Sequence, residues 1–195
     1  MGLIVLIGVL LLVAILTPAV LDRVEGARRT QAIANGRDIV SDIVAAEFAA
    51  PYAPPGESVA MPRDESTTSE FLTRMVSEGH LQDDPRQFAA HGVSPAETPV
   101  SADRPLRSQN NAWRIVVGHD VHTDPPNLPM LITRNLTQST LADPPQLSDQ
   151  PPFGLKGAVV VSLSGAARSI EADALEDEWR RLTGPAPPPH PILPP

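Results

Sequence analysis

The chain of 195 residues carries 15 Lys and Arg against 23 Asp and Glu, a formal net charge of -8, which excludes the clustered positive surface that phosphate-backbone binding requires. Its length suits one domain with an appended segment, and the absence of Cys removes disulfides, thiol nucleophiles and Cys-based zinc sites together. With 23 Pro and 4% aromatic residues the packed part should be small, a poor basis for a deep catalytic cavity.

Residues 1–21 are predicted to form a transmembrane segment. From Gly2 to Leu21 the chain has no charged side chain, and about 20 apolar residues rising 1.5 Å each cross a hydrocarbon core of roughly 30 Å. The bland alternative is a signal peptide cleaved near Ala19, but nothing basic precedes Leu3. Pro18 within this run frees a backbone carbonyl and predicts a kink.

Residues 22–50 are expected to continue the same helix. Gly26 and Gly36 each weaken it by about 1 kcal/mol relative to Ala, but no turn signal interrupts it. Ile39, Ile43 and Ala46 share one stripe, with Val40, Val44 and Phe48 beside it, the spacing of a helix that lays one face on a core. Pro51, Pro54, Pro55 and Gly56 stop it.

A globular α+β domain is expected over 51–184. Thr67 and Glu70 have capping-box spacing for a helix from Thr67 to Glu78, with Phe71, Leu72, Met75 and Val76 as its apolar face and Gly79 at its end. Asp84 before Pro85 predicts a capped turn that buries Phe88. Prolines at 95, 99 and 105 mark an irregular surface loop. Strands are expected at Trp113–Val117, Met130–Thr133 and Ala158–Leu163, with a turn at Gly165 into Ala166–Ile170, giving a small antiparallel sheet. Leu175, Trp179 and Leu182 mark a terminal amphipathic helix ended by Gly184. The proline-rich tail, residues 185–195, reads as an extended polyproline-like segment, solvated and without a core of its own.

The long helix, apolar first and amphipathic second, followed by a small antiparallel sheet, looks like type IV pilin architecture. The run Ala14–Leu21, then Glu25–Gln31 and Asn35-Gly36-Arg37, is similar to the segment after the apolar start in bacterial type II secretion pseudopilins. Further likeness lies in Ser66–Phe71, Gly79-His80-Leu81, Asp84-Pro85 with Phe88, Pro152–Gly157 and Val159–Val161. The resemblance implies a pilin-like α+β fold: a long N-terminal helix, membrane-spanning in its first half, packed on a small antiparallel sheet with short helices. It implies a structural subunit of a type II secretion or type IV pilus-like filament in the bacterial inner membrane. Its partners would be the membrane and other pilin-like subunits or copies of itself, with Leu6, Leu10, Val13 and Pro18 as helix contacts.

The family's processed terminus has a Glu near its start, whereas the apolar run here has none and carries Val5. Matching Pro18 to the family's helix proline puts that Glu near Met1 and the processing leader upstream of it. Arg23, Arg28 and Arg29 after the span would by charge alone favour the cytoplasm on that side; the resemblance instead places the domain in the periplasm. The alternative is a signal-anchored envelope protein that binds a partner through its domain and never polymerises.

No catalytic constellation, cofactor site or small-molecule substrate is evident, and the expectation is not an enzyme. His119-Asp120-Val121-His122 lacks the i, i+4 spacing of helical zinc motifs and reads as loop polarity. Ser162-Leu163-Ser164-Gly165 lacks the first Gly of a nucleophile elbow, and its serines read as solvent-facing strand residues. Asp83 and Asp84 form a carboxylate pair better explained by capping, and the sequon at Asn135-Leu136-Thr137 has little force in a bacterial protein.

Overall fold

The computed structural model describes residues 2–49 and 65–195, with side chains of the first helix described at Thr17, at Val20 and Leu21, and from Arg23 onward. Helix α1 runs Gly2–Ala49, 48 residues. Neither Gly26, Pro18 nor Gly36 ends it, because each offends a single turn while the flanking residues keep the hydrogen-bonded ladder. Ile39, Val40 and Ile43 are fully buried and Ala46 nearly so, as the stripe predicts. Phe48 departs from it: 56% exposed, its ring stacks edge-on against His122 at 5.2 Å.

Among the described residues no helix is long and apolar enough to cross a membrane. Most side chains of the expected span over 1–21 lie outside the described set, as do those of the predicted contacts Leu6, Leu10, Val13 and Pro18. The proline stop at 51–56 lies outside the described residues altogether.

Helix α2, Thr68–Ser77, begins with the expected capping box: Thr67 accepts from the Glu70 amide, and the Glu70 carboxylate accepts from the Thr67 amide. Phe71, Leu72 and Met75 are fully buried. Asp84 caps the turn Pro85–Phe88 by accepting from the Arg86 amide, and Phe88 is buried.

The strands are β1 (Trp113–Ile115), β2 (Pro129–Thr133), β3 (Gly157–Ser162) and β4 (Ala167–Glu171), antiparallel in the order β1-β2-β3-β4. The last pair turns at Gly165, whose φ of 75° is open to glycine without strain. Helix α3, Leu175–Thr183, buries Leu175, Trp179 and Leu182 and stops at Gly184.

Helix α1 lies mainly across β3, with further contact to β4 and β2. Alternation along β1 turns Trp113 toward α1 and Arg114 to the opposite face. Strands β2 and β3 are buried at every position, so both faces of the sheet are covered. Ser162, expected to face solvent, is therefore buried and bonds its hydroxyl to Ser164 and to the carbonyl of Ala166.

The tail differs most from its polyproline reading. Residues 190–193 form an additional paired segment between β1 and residues 139–141, bridged at Val116 with Ile192 and at Thr140 with Pro191. The Val117 amide donates to the Pro191 carbonyl at 2.9 Å and Leu193 donates to Ile115 at 2.9 Å. On the other side Leu141 donates to His190 at 3.0 Å and Ile192 donates to Ser139 at 2.8 Å. Every backbone N–H that Ile192 and Leu193 possess is used, so the neighbouring prolines cost the ladder nothing it needs.

Candidate functional site

Among the described residues, two places concentrate chemistry or unpartnered surface. The first is where α1 leaves the domain. Val20, Leu21 and Val24 are exposed at 55%, 61% and 39%, apolar residues that the domain does not cover. Immediately after them a charged collar fixes the helix to the sheet. Glu25 accepts from Lys156 at 2.7 Å and from Arg29 at 3.2 Å. Arg29 also donates to Ser169 at 3.1 Å, pairs with Glu171, and places its guanidinium 5.7 Å from the centre of the Phe153 ring. The Lys156 hydrogen bond, opposed by desolvation and reinforced by Arg29, holds the Glu25 carboxyl below its ordinary value. One turn further, Arg28 donates to His91 at 3.2 Å, at the rim of a cleft of about 600 Å³ between α1 and residues 82–95.

The second place is at the far end of β1. Gly118, at φ 87°, turns the chain out of the strand, and residues 120–124 fold into a tight loop in which the Asp124 amide donates to the Asp120 carbonyl at 2.9 Å. The Asp120 amide in turn donates to the Asp124 carboxylate at 2.9 Å. This brings Asp124 back over His119, and the paired tail delivers His190 to the same point.

Ligand-type atoms of His119, Asp124 and His190 lie within 4.8 Å of one another. His119 Nδ1 is 3.3 Å from Asp124 Oδ2, and His190 Nε2 is 3.4 Å from the same oxygen. The two rings meet edge to face at 4.7 Å between centroids. The His119 side chain is 0% exposed, with Asp124 at 23% and His190 at 18%. His119 Nε2 lies 2.8 Å from the Pro129 carbonyl oxygen. A carbonyl only accepts, so that nitrogen carries the proton. Burial, foremost, and then the nearby His190 push the His119 pKa down, against the pull of the Pro129 bond and Asp124. The other ring nitrogen, Nδ1, faces the Asp124 carboxylate at 3.3 Å. His190 Nε2 is buried and makes no aligned hydrogen bond.

The sequence motif around His119 divides accordingly. His119 is buried rather than part of a polar loop surface, whereas His122 is exposed and packs on Phe48. Sequence reasoning passed over His190, which stands alone among prolines; its partners lie some seventy residues away, and no local spacing joins them. Asn135 is fully buried, its side-chain amide donating to the carbonyls of Gly154 at 2.8 Å and Gly157 at 2.7 Å, which makes it a structural residue rather than an accessible sequon. Asp84 is engaged as a cap and in an ion pair with Arg86 at 2.8 Å.

Comparison with protein-family models, with curated proteins and with solved structures finds no match to the chain.

Proposed function

We propose that the chain is a structural, pseudopilin-like subunit of a type II secretion or type IV pilus-like filament, anchored in a bacterial inner membrane by the first half of α1 with its domain in the periplasm. The observation that carries this reading is the division of labour along one helix. Its later half is built into the sheet through Ile39, Val40 and Ile43, while the uncharged residues 2–21 continue the helix beyond the collar. At 1.5 Å per residue the helix is about 70 Å long, enough for a membrane span and a packed stem.

A helix apolar on all sides is stable in lipid and again against other such helices, where dispersion contacts replace lipid contacts. The exposed Val20, Leu21 and Val24 extend that apolar surface to the edge of the domain. Leu6, Leu10, Val13 and Pro18 would supply the contacts between subunits.

Because the chain has no Cys, single cysteines placed at Leu10 or Val13 report contacts without background. Oxidation of native membranes should join chains through these positions, and mass spectrometry should find a processed, N-methylated terminus. An unprocessed Met1 together with absent cross-links at both positions would sink the filament reading and leave the signal-anchored partner-binding protein as the better account.

A further inference from the structure

We propose that His119, Asp124 and His190 form a binding site for a divalent transition metal, Zn²⁺ by its ligand set, that fastens the C-terminal tail to the body of the domain. This inference stands apart from the filament reading and rests on geometry. Two ligands bound to zinc at 2.0 to 2.1 Å in tetrahedral arrangement are separated by about 3.3 Å. The separations from Asp124 Oδ2 to His119 Nδ1 and His190 Nε2 are 3.3 and 3.4 Å.

The outer contacts fit as well. A metal-bound imidazole characteristically donates its other N–H to a carbonyl or carboxylate, which fixes ring and tautomer. His119 does this through Nε2 to the Pro129 carbonyl at 2.8 Å. The Asp124 oxygen is held from behind by the Asp120 amide at 2.9 Å. His190 Nε2, buried without an aligned partner, is the third donor.

Two nitrogens and one carboxylate oxygen favour zinc over calcium or magnesium, which take oxygen ligands. The partial exposure of Asp124 and His190 admits water to the fourth position. The carboxylate of Asp124 supplies the negative charge of the cluster, and the Asp120 carboxylate is turned to the His122 amide at 2.9 Å. Since two ligands come from the loop after β1 and one from the tail, the ion would close a loop across the sheet and oppose release of the tail.

The test uses the full, untagged chain in detergent, stripped with chelator and dialysed against Zn²⁺. Elemental analysis should find about one zinc per chain. H190Q and D124N should each weaken retention at least tenfold, whereas H122Q should retain the metal as wild type does. Hydrogen exchange at the Ile192 and Leu193 amides should slow on adding Zn²⁺ to wild type and not to H190Q, a readout independent of overall folding. Co²⁺ in place of zinc should give the visible bands of a tetrahedral nitrogen and oxygen site. Failure of wild type to retain zinc, retention by H190Q and D124N equal to that of wild type, or displacement of the ion by excess Ca²⁺ would each overturn the assignment.

Discussion

Gly36 in the stem helix lies flat against the indole of Trp113: a Cβ built on it would come within 2.8 Å of Trp113 Cη2 and equally close to Val161 Cγ2. The residue that reads in sequence as a weak point of the helix is a point of close approach between helix and sheet. Gly36→Ala should therefore destabilise the domain by about 1 to 3 kcal/mol, the range for overpacking a filled core. Gly26→Ala is the control. Nothing lies within 4 Å of a Cβ there, so the change should stabilise by up to about 1 kcal/mol through helix propensity. Thermal or urea unfolding of the two variants checks both signs. Equal effects at the two glycines would contradict the packing account.

Arg114 adds a side-chain tie between the sheet and the tail to the backbone pairing. Its guanidinium, on a side chain buried beside β1, donates to the carbonyls of Leu136, Gln138, Ile192 and Leu193. Burial lowers its pKa from the ordinary value, yet Arg keeps its charge in proteins. Arg114→Met fills the volume but removes this donor from all four carbonyls, of which Leu193 keeps the Thr68 hydroxyl, and a loss of about 3 kcal/mol is expected. Arg114→Lys should recover little, since a single ammonium cannot span the fork. Hydrogen exchange should speed up first at Ile192 and Leu193; unchanged exchange there would separate Arg114 from the tail.

The capping box at α2 gives an acid-side prediction. Hydrogen bonds from Ser66, backbone first and then hydroxyl, and from Thr67 hold the Glu70 pKa below 4.5. A depressed carboxylate contributes stability that is present above its unfolded pKa and is lost as pH falls through the folded one. Unfolding temperature should thus drop as pH falls below about 4.5, and Glu70→Gln should flatten that part of the curve. Thr67→Ala, which removes the reciprocal bond, should cost about 1 kcal/mol at neutral pH.

Asp42 has the opposite sign. Burial, and then the charge of Asp38 one turn earlier, raise its pKa above 3.8. The ionised form is disfavoured in the fold, so the penalty is present at neutral pH and is relieved as pH falls through the raised value toward the unfolded one. Asp42→Asn should stabilise the neutral protein by a few tenths of a kcal/mol, discounted for its partial exposure. That gain should vanish in acid. A stability curve parallel to wild type from neutral pH down to acid would refute the assignment.

Much of the fold was legible where the signal is local. The Ile39, Ile43 and Ala46 stripe, the Thr67 to Glu70 box, the Asp84 cap and the Gly165 turn each depend on residues within a few positions, and all appear in place. What stayed hidden depends on distant partners. Proline composition made residues 185–195 look solvated, because sequence does not reveal that the available amides of Ile192 and Leu193 find Ser139 and Ile115. The burial of Ser162 followed from the second layer over β3, which alternation alone cannot report. Phe48 fell off the buried stripe and met His122 instead. His119 and His190 were visible only as separate histidines until the tail brought them together.

The docking of residues 190–193 along β1 also sets an order on biosynthesis. Helix α1 is synthesised before the segment that seals the strand edge, at about 5 to 20 residues per second. Until Pro191 and Leu193 arrive, the amide of Val117 and the carbonyl of Ile115 lack the partners they have in the finished domain. An unsealed strand of this kind can recruit any other extended chain. A nascent chain passes through this interval with helix α1 and the four strands already synthesised and the edge of β1 still open, when exposed strand edges favour misassembly.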